Sequence, residues 1–187
     1  VFAAAAVLGV AAFLGQALLM VRRRRPRPAA ASGLDPAVFH GAASLLALGS
    51  ASLLGLWLSM APPSEVTLRV ASAYGTLGLV GFLAQMVVGM KSRLLPTFAW
   101  YWAYANSGHR QLPISPYAMA WRPAQEAVFV LWLFGVPALA AGLAFGAVPF
   151  VAAAGWALLV AALLDAINTV RILRHAFMRL SESGQSR

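Results

Sequence analysis

The sequence predicts an all-α fold: a polytopic transmembrane bundle of five helices. Three observations predict it. Charge is scarce, the apolar runs are long, and the basic residues fall between those runs on alternate sides. Of 187 residues, 61% are hydrophobic and 10% are charged, and the mean hydropathy is +0.76. A soluble domain carries about 25% charge, so the polar surface is too small for a water-exposed body. A net charge of +9 would suggest nucleic acid in a soluble protein. Cations set between apolar runs point instead to a membrane and not to nucleic acid.

Five runs, near residues 1–21, 37–60, 70–90, 124–146 and 150–171, reach the roughly 20 residues of helix that cross a hydrocarbon layer. Strands of a membrane barrel are about half as long and alternate, and these runs do not alternate. Backbone groups in lipid must pair within their own segment, which selects helices. The runs form one domain over 1–187. Charges follow the first run instead of preceding it, the reverse of a signal peptide.

The basic residues give the orientation. The first loop holds Arg22, Arg23, Arg24, Arg25 and Arg27, and the second holds only Arg69. The third holds Lys91, Arg93, Arg110 and Arg122, the fourth holds none, and the tail holds Arg171, Arg174, Arg179 and Arg187. The positive-inside rule then puts the N-terminus outside and the C-terminus in the cytoplasm. A multi-pass protein of the bacterial inner membrane is the expected setting. Arg22 to Arg27 also suit anionic lipid headgroups.

Residues 87–104 read VVGMKSRLLPTFAWYWAY. The third span is expected to end at Met90, with Lys91 and Arg93 at the headgroups. Pro96 disfavours helix at Leu95 and is expected to bend the chain there. Phe98, Trp100, Tyr101, Trp102, Tyr104, Tyr117 and Trp121 would then form an interfacial aromatic segment over 97–123, read either as an anchor at the membrane interface or as a docking surface for a partner.

Lipid tails give helices little hydrophobic drive to associate, so small residues mark packing faces. Ala43, Ala47, Ala51 and Gly55 form a stripe on the second span. Gly75, Gly78, Gly81 and Gly89 lie along the third. Gly142 and Gly146 make a GxxxG on the fourth, where Pro137 should kink the helix.

Polar groups within spans are costly and suggest function. Gln16, His40, Gln85, Glu126 and Asp165 all fall within about two turns of the cytoplasmic ends, forming one polar layer. Asn168 and Thr169 share the Asp165 face at i+3 and i+4, and Arg171 and Arg174 are expected ion-pair partners of Asp165. Of the three histidines, His109 and His175 lie beside arginines outside the spans. Only His40 lies within one, as a candidate ligand for a haem, a quinone or a metal. The absence of cysteine removes disulfides, thiolate metal sites and a Cys nucleophile.

The stretch Arg69–Tyr104, RVASAYGTLGLVGFLAQMVVGMKSRLLPTFAWYWAY, resembles a helix of bacterial haem–copper oxidase subunit I-like proteins and their NnrS-like polytopic relatives. Tyr74, Gly89 and Pro96 match positions of that helix, and the closing NTVRILRH at 168–175 extends the resemblance over about 69–176. The two haem-ligand histidines of the oxidases fall on Ala71 and Ala73. The resemblance therefore implies an oxidase-like bundle without those ligands, serving as an accessory subunit of a respiratory or photosynthetic electron-transfer complex. Its partners would be other membrane subunits and anionic lipids. Two other readings stay open: haem or quinone binding at His40, and a transporter using Asp165 and Glu126 as coupling carboxylates.

A chain without cysteines allows a clean topology test. Single cysteines placed as Arg27→Cys and Arg110→Cys should resist an impermeant maleimide in intact cells, while Ser64→Cys should react. Labelling of Arg27→Cys and Arg110→Cys from opposite faces would overturn the five-span order.

Overall fold

A computed structural model describes residues 2–23, 35–106 and 115–184; the side chains of Tyr117 and of residues 175–184 lie outside that description. The roles expected of Arg24, Arg25, Arg27, His109, Arg110 and the Tyr117 ring therefore fall outside the described residues. Among those described, the chain is helical and contains no strand. The helices are α1 (Phe2–Arg22), α2 (Pro36–Leu58), α3 (Glu65–Asn106), the single turn α4 (Pro116–Met119), α5 (Arg122–Phe145) and α6 (Val148–Gly184). Five of them, with α6 counted to Arg174, are long and apolar enough to span a membrane.

Local chemistry sets the helix ends. The Asp35 carboxylate accepts from the Ala37 N–H at 3.0 Å and Pro36 occupies the first turn of α2, a favourable pairing of cap and proline. Ser64 caps α3, accepting from the Thr67 N–H at 3.1 Å. α5 ends at Gly146, whose φ is 68°. The Ala147 N–H bonds to the Gly142 carbonyl and the Gly146 N–H to the Leu143 carbonyl, a Schellman ending that a glycine at this position permits. Gly146 is thus a cap, not half of a packing GxxxG. Its turn folds α6 straight back on α5, and Gly142 meets Val151 and Phe150 there.

α3 departs most from expectation. It spans 42 residues and runs through Pro96, where the sequence predicts a bend and a separate surface segment. Within it, Leu77–Ala84 winds as π-helix. Beyond Pro96 the helix turns Ala99 and Ala103 inward against Ile172 of α6, with Leu95 and Ala120 alongside. That packing, and a donor described below, offset the roughly 3 kcal/mol cost of an interior proline.

α2 and α3 run antiparallel in close contact at three levels. Gly55 faces the Tyr74 ring, Gly81 faces Ala47, and Gly89 faces His40. A Cβ on Gly89 would lie 2.6 Å from the His40 Cβ, and one on Gly81 would lie 2.8 Å from the Ala47 Cβ. Gly75 and Gly78, expected on the packing face, have no atom within 4 Å of such a Cβ. They fall off the line along which α2 approaches. Ala47 and Ala51 are buried and Ala43 is half-buried, so the α2 stripe does face inward. The central core joins Val128, Trp132 and Val136 of α5 to Ala161 of α6, with Leu77, Val80, Ala84 and Val88 of α3 against them. α1 lies against α2 and buries no residue.

The up-and-down order places Arg22, Arg23, Lys91, Arg93, Arg122, Arg171 and Arg174 toward one end of the bundle. Arg69 lies at the other, paired with Glu65 and seated over Gly146.

Gly81→Ala and Gly89→Ala should each destabilise the bundle by about 1–3 kcal/mol through overpacking. Gly75→Ala should be neutral or stabilising by up to about 1 kcal/mol, because alanine suits a helix interior better. Thermal unfolding in detergent reads the contrast, and equal melting of Gly75→Ala and Gly89→Ala would contradict the packing.

Candidate functional site

At the basic end, α2, α3, α5 and α6 converge on a polar cluster. Its cavity is lined by Pro36, His40, Val88, Ser92, Gln125, Val128, Asp165 and Asn168, and the space open to the centre of a water-sized sphere is about 10 Å³. Four predicted members of the polar layer are interior: His40, Gln85 and Asn168 are buried and Asp165 is nearly so. Two are not. Gln16 is exposed on α1, and Glu126 is exposed on α5, one residue round from Gln125, which turns inward.

Each inward side chain has a local reason for its place. His40 is 1% exposed because Gly89 offers no side chain where its Cβ sits. The Phe129 ring meets its imidazole edge-on, with centroids 5.2 Å apart. One turn along α2, the buried Ser44 hydroxyl donates to the Gly41 carbonyl at 2.8 Å and faces the Met86 sulfur. Asn168 accepts the Trp121 N–H at 2.9 Å, tying α6 to the start of α5.

Lys91 pairs with Asp165. The sequence predicts otherwise, with Lys91 at the headgroups and Asp165 bonded to Arg171 or Arg174. The geometry of α6 explains the difference. Arg171 is six residues past Asp165 and so lies on another face, and its guanidinium sits 5.9 Å from the Trp121 ring centroid instead. Lys91, two residues beyond the His40 contact at Gly89, is the cation that α6 meets. Thr169 does stay on the Asp165 face, where its hydroxyl donates to the Asp165 carbonyl at 2.8 Å.

Gln125 has a different task. A proline at 96 cannot donate to the carbonyl four residues back, that of Ser92. The Gln125 amide, reaching from α5, donates to that carbonyl at 3.2 Å. Neighbouring helices commonly re-satisfy backbone freed by proline within membranes, and here the donor is a single named side chain. Gln125, Lys91 and Ser92 are the site residues that sequence reasoning missed. The signal for Gln125 was present: a polar residue inside an apolar helix, available to a carbonyl that Pro96 was certain to orphan.

The cluster is also tightly filled. A haem or a quinone ring needs a pocket in the range of several hundred Å³, and the space beside His40 is about one water, so the surroundings of His40 do not fit either. Asp165 and Glu126 do not share a site, because Glu126 faces outward. No three His, Asp or Glu side chains among the described residues are grouped to hold a metal ion.

Comparison with family models, with curated proteins and with solved structures returns no match for this chain.

Gln125→Leu should cost about 1–3 kcal/mol by leaving the Ser92 carbonyl without a donor. In a Pro96→Ala background the restored N–H takes that carbonyl, and the penalty should shrink, a coupling of about 1 kcal/mol or more in a double-mutant cycle of melting measurements. Additive effects would show that Gln125 serves some other group.

Proposed function

We propose that this chain is a non-catalytic integral membrane subunit that packs onto and stabilises a larger membrane complex. The observation that carries the reading is the far end of α3. Beyond Lys91 and Arg93 the helix continues with Ala99 and Ala103 turned inward, which turns Phe98, Tyr101 and Trp102 outward, all three exposed. Their i, i+3, i+4 spacing makes one stripe. Trp100 and Tyr104 are not on it; they stack on each other with centroids 5.3 Å apart and planes 4° from parallel. From Glu65 to Asn106 the helix is about 60 Å long at 1.5 Å per residue, against roughly 40–45 Å for a whole bilayer with headgroups. An aromatic stripe on a helix that outruns the bilayer suits a protein partner better than an anchor in lipid alone.

A second feature supports the same reading. α1 is apolar along its length yet buries nothing within the chain, so it offers most of its surface to lipid or to another subunit. The polar cluster, by contrast, closes inward with its charges paired and acts to hold helices together.

The finer setting rests on the sequence. The distribution of Lys and Arg supports a bacterial inner membrane with the basic end cytoplasmic, and Arg22 and Arg23, with the basic residues after them, would meet anionic lipid. The electron-transfer complex, respiratory or photosynthetic, rests on the resemblance of residues 69–176 to oxidase-like proteins lacking two haem-ligand histidines.

Gentle solubilisation and purification through this chain should recover a fixed set of membrane subunits. Phe98→Ala with Tyr101→Ala should reduce that recovery by about tenfold or more, the scale of an aromatic hot spot, while leaving the melting temperature of the chain unchanged. Recovery of a lone monomer from the unmodified chain would overturn the proposal.

A further inference from the structure

The cavity between α2, α3, α5 and α6 poses a polar problem that the protein groups leave open. The His40 Nδ1 is buried and meets no hydrogen-bond partner among the described residues, although His40 lines the cavity. An unpaired polar nitrogen in an apolar span is costly. Every other polar wall residue is tied to a neighbour yet keeps capacity to spare. The Ser92 hydroxyl spends its hydrogen on the Gly89 carbonyl and keeps lone pairs. Gln125 uses one amide hydrogen on the Ser92 carbonyl and has a second. Asp165 pairs with Lys91 through one carboxylate oxygen and has another.

We infer that this cavity is a binding site for one water molecule, which joins the His40 imidazole to the Asp165 carboxylate and so links α2 to α6. Size and charge select this ligand. The space open to a water's centre is about 10 Å³, close to the smallest volume that admits one water, and the walls supply the two to four polar partners that a buried water needs. Of the charged residues, Asp165 of α6 lines the cavity with His40, and Lys91 of α3 neutralises it. α5 contributes only Gln125, because Glu126 faces outward, and Asp35 on α2 is engaged in capping its own helix. A cation or an anion would find no uncompensated partner. A neutral molecule that both donates and accepts finds several. Lys91 is about one-third exposed, so the buried imidazole gains a route for hydrogen exchange with the basic end of the bundle. This inference concerns the interior of the chain and does not depend on the proposed subunit role.

The test uses the full chain in lipid nanodiscs with ¹⁵N-labelled histidine. His109→Gln and His175→Gln leave His40 as the single reporter. The expected result is a hydrogen-bonded Nδ1 chemical shift together with magnetisation transfer from water to the His40 ring. Val128→Ile adds a methylene at the cavity wall, displaces the water and should reduce the transfer by about tenfold; Val128→Ala should preserve it. Absence of water transfer in the parent chain, or transfer unchanged by Val128→Ile, would overturn the inference. The parent measurement decides the matter by itself if Val128→Ile does not fold.

Discussion

A carbonyl oxygen that has lost its donor governs much of this bundle. Pro96 removes the N–H that would bond to Ser92, and in an apolar medium that oxygen must be served from elsewhere. Gln125 serves it from the neighbouring helix. With that bond in place α3 continues through the proline, Ala99 and Ala103 reach Ile172, and the aromatic stripe is carried past Lys91 and Arg93. Without it, helix breakage near Leu95 would separate the two ends of α3. The bond also fixes α5 against α3 at the level where α2 and α6 bring His40 and Asp165.

Close packing and polar satisfaction share the work of positioning these helices, and their magnitudes differ. A small-residue contact contributes modestly, because lipid is as apolar as the partner helix. An unserved polar group costs several kcal/mol in the same medium. The glycines at 81 and 89 therefore set how near α2 can come, whereas the polar cluster ties α3, α5 and α6 to one another. His40 shows both effects in one residue, since its backbone position depends on Gly89 and its ring must find a polar neighbour.

The helical class and the five helices long and apolar enough to span a membrane were legible because hydropathy over 20 residues is a strong local signal. The first, second and fourth agree at both ends to within a few residues, and the fifth at its start, α6 continuing to Gly184. The third differs because proline sterics alone predict a break at 96, whereas the compensating donor lies about thirty residues away in sequence. The same distance effect hid the Lys91–Asp165 pair, whose partners are 74 residues apart, behind nearer arginines. The polar layer was half legible. Depth along a helix can be counted from its ends, which found His40, Gln85, Asp165 and Asn168. Which way a side chain faces depends on packing, so depth alone points to Glu126 where its neighbour Gln125 makes the contact. Glycine spacing likewise marks where contact is allowed without saying where it occurs, as Gly75 and Gly78 show.

The wide turns of Leu77–Ala84 have a consequence for the whole of α3. A π-turn takes more residues per revolution than the 3.6 of an α-helix, so side chains after it lag in angle behind those of an unbroken rod. The part before the wide turns lies against α5 and α2, and the part after them lies against α2 and α6. The stretch works as a phase shifter: one continuous rod shows one azimuth to its first pair of neighbours and another to its second. Deleting a single residue there would rotate everything downstream, swinging Gln85, Gly89 and Lys91 away from the partners they now meet while leaving the hydropathy of the span almost untouched.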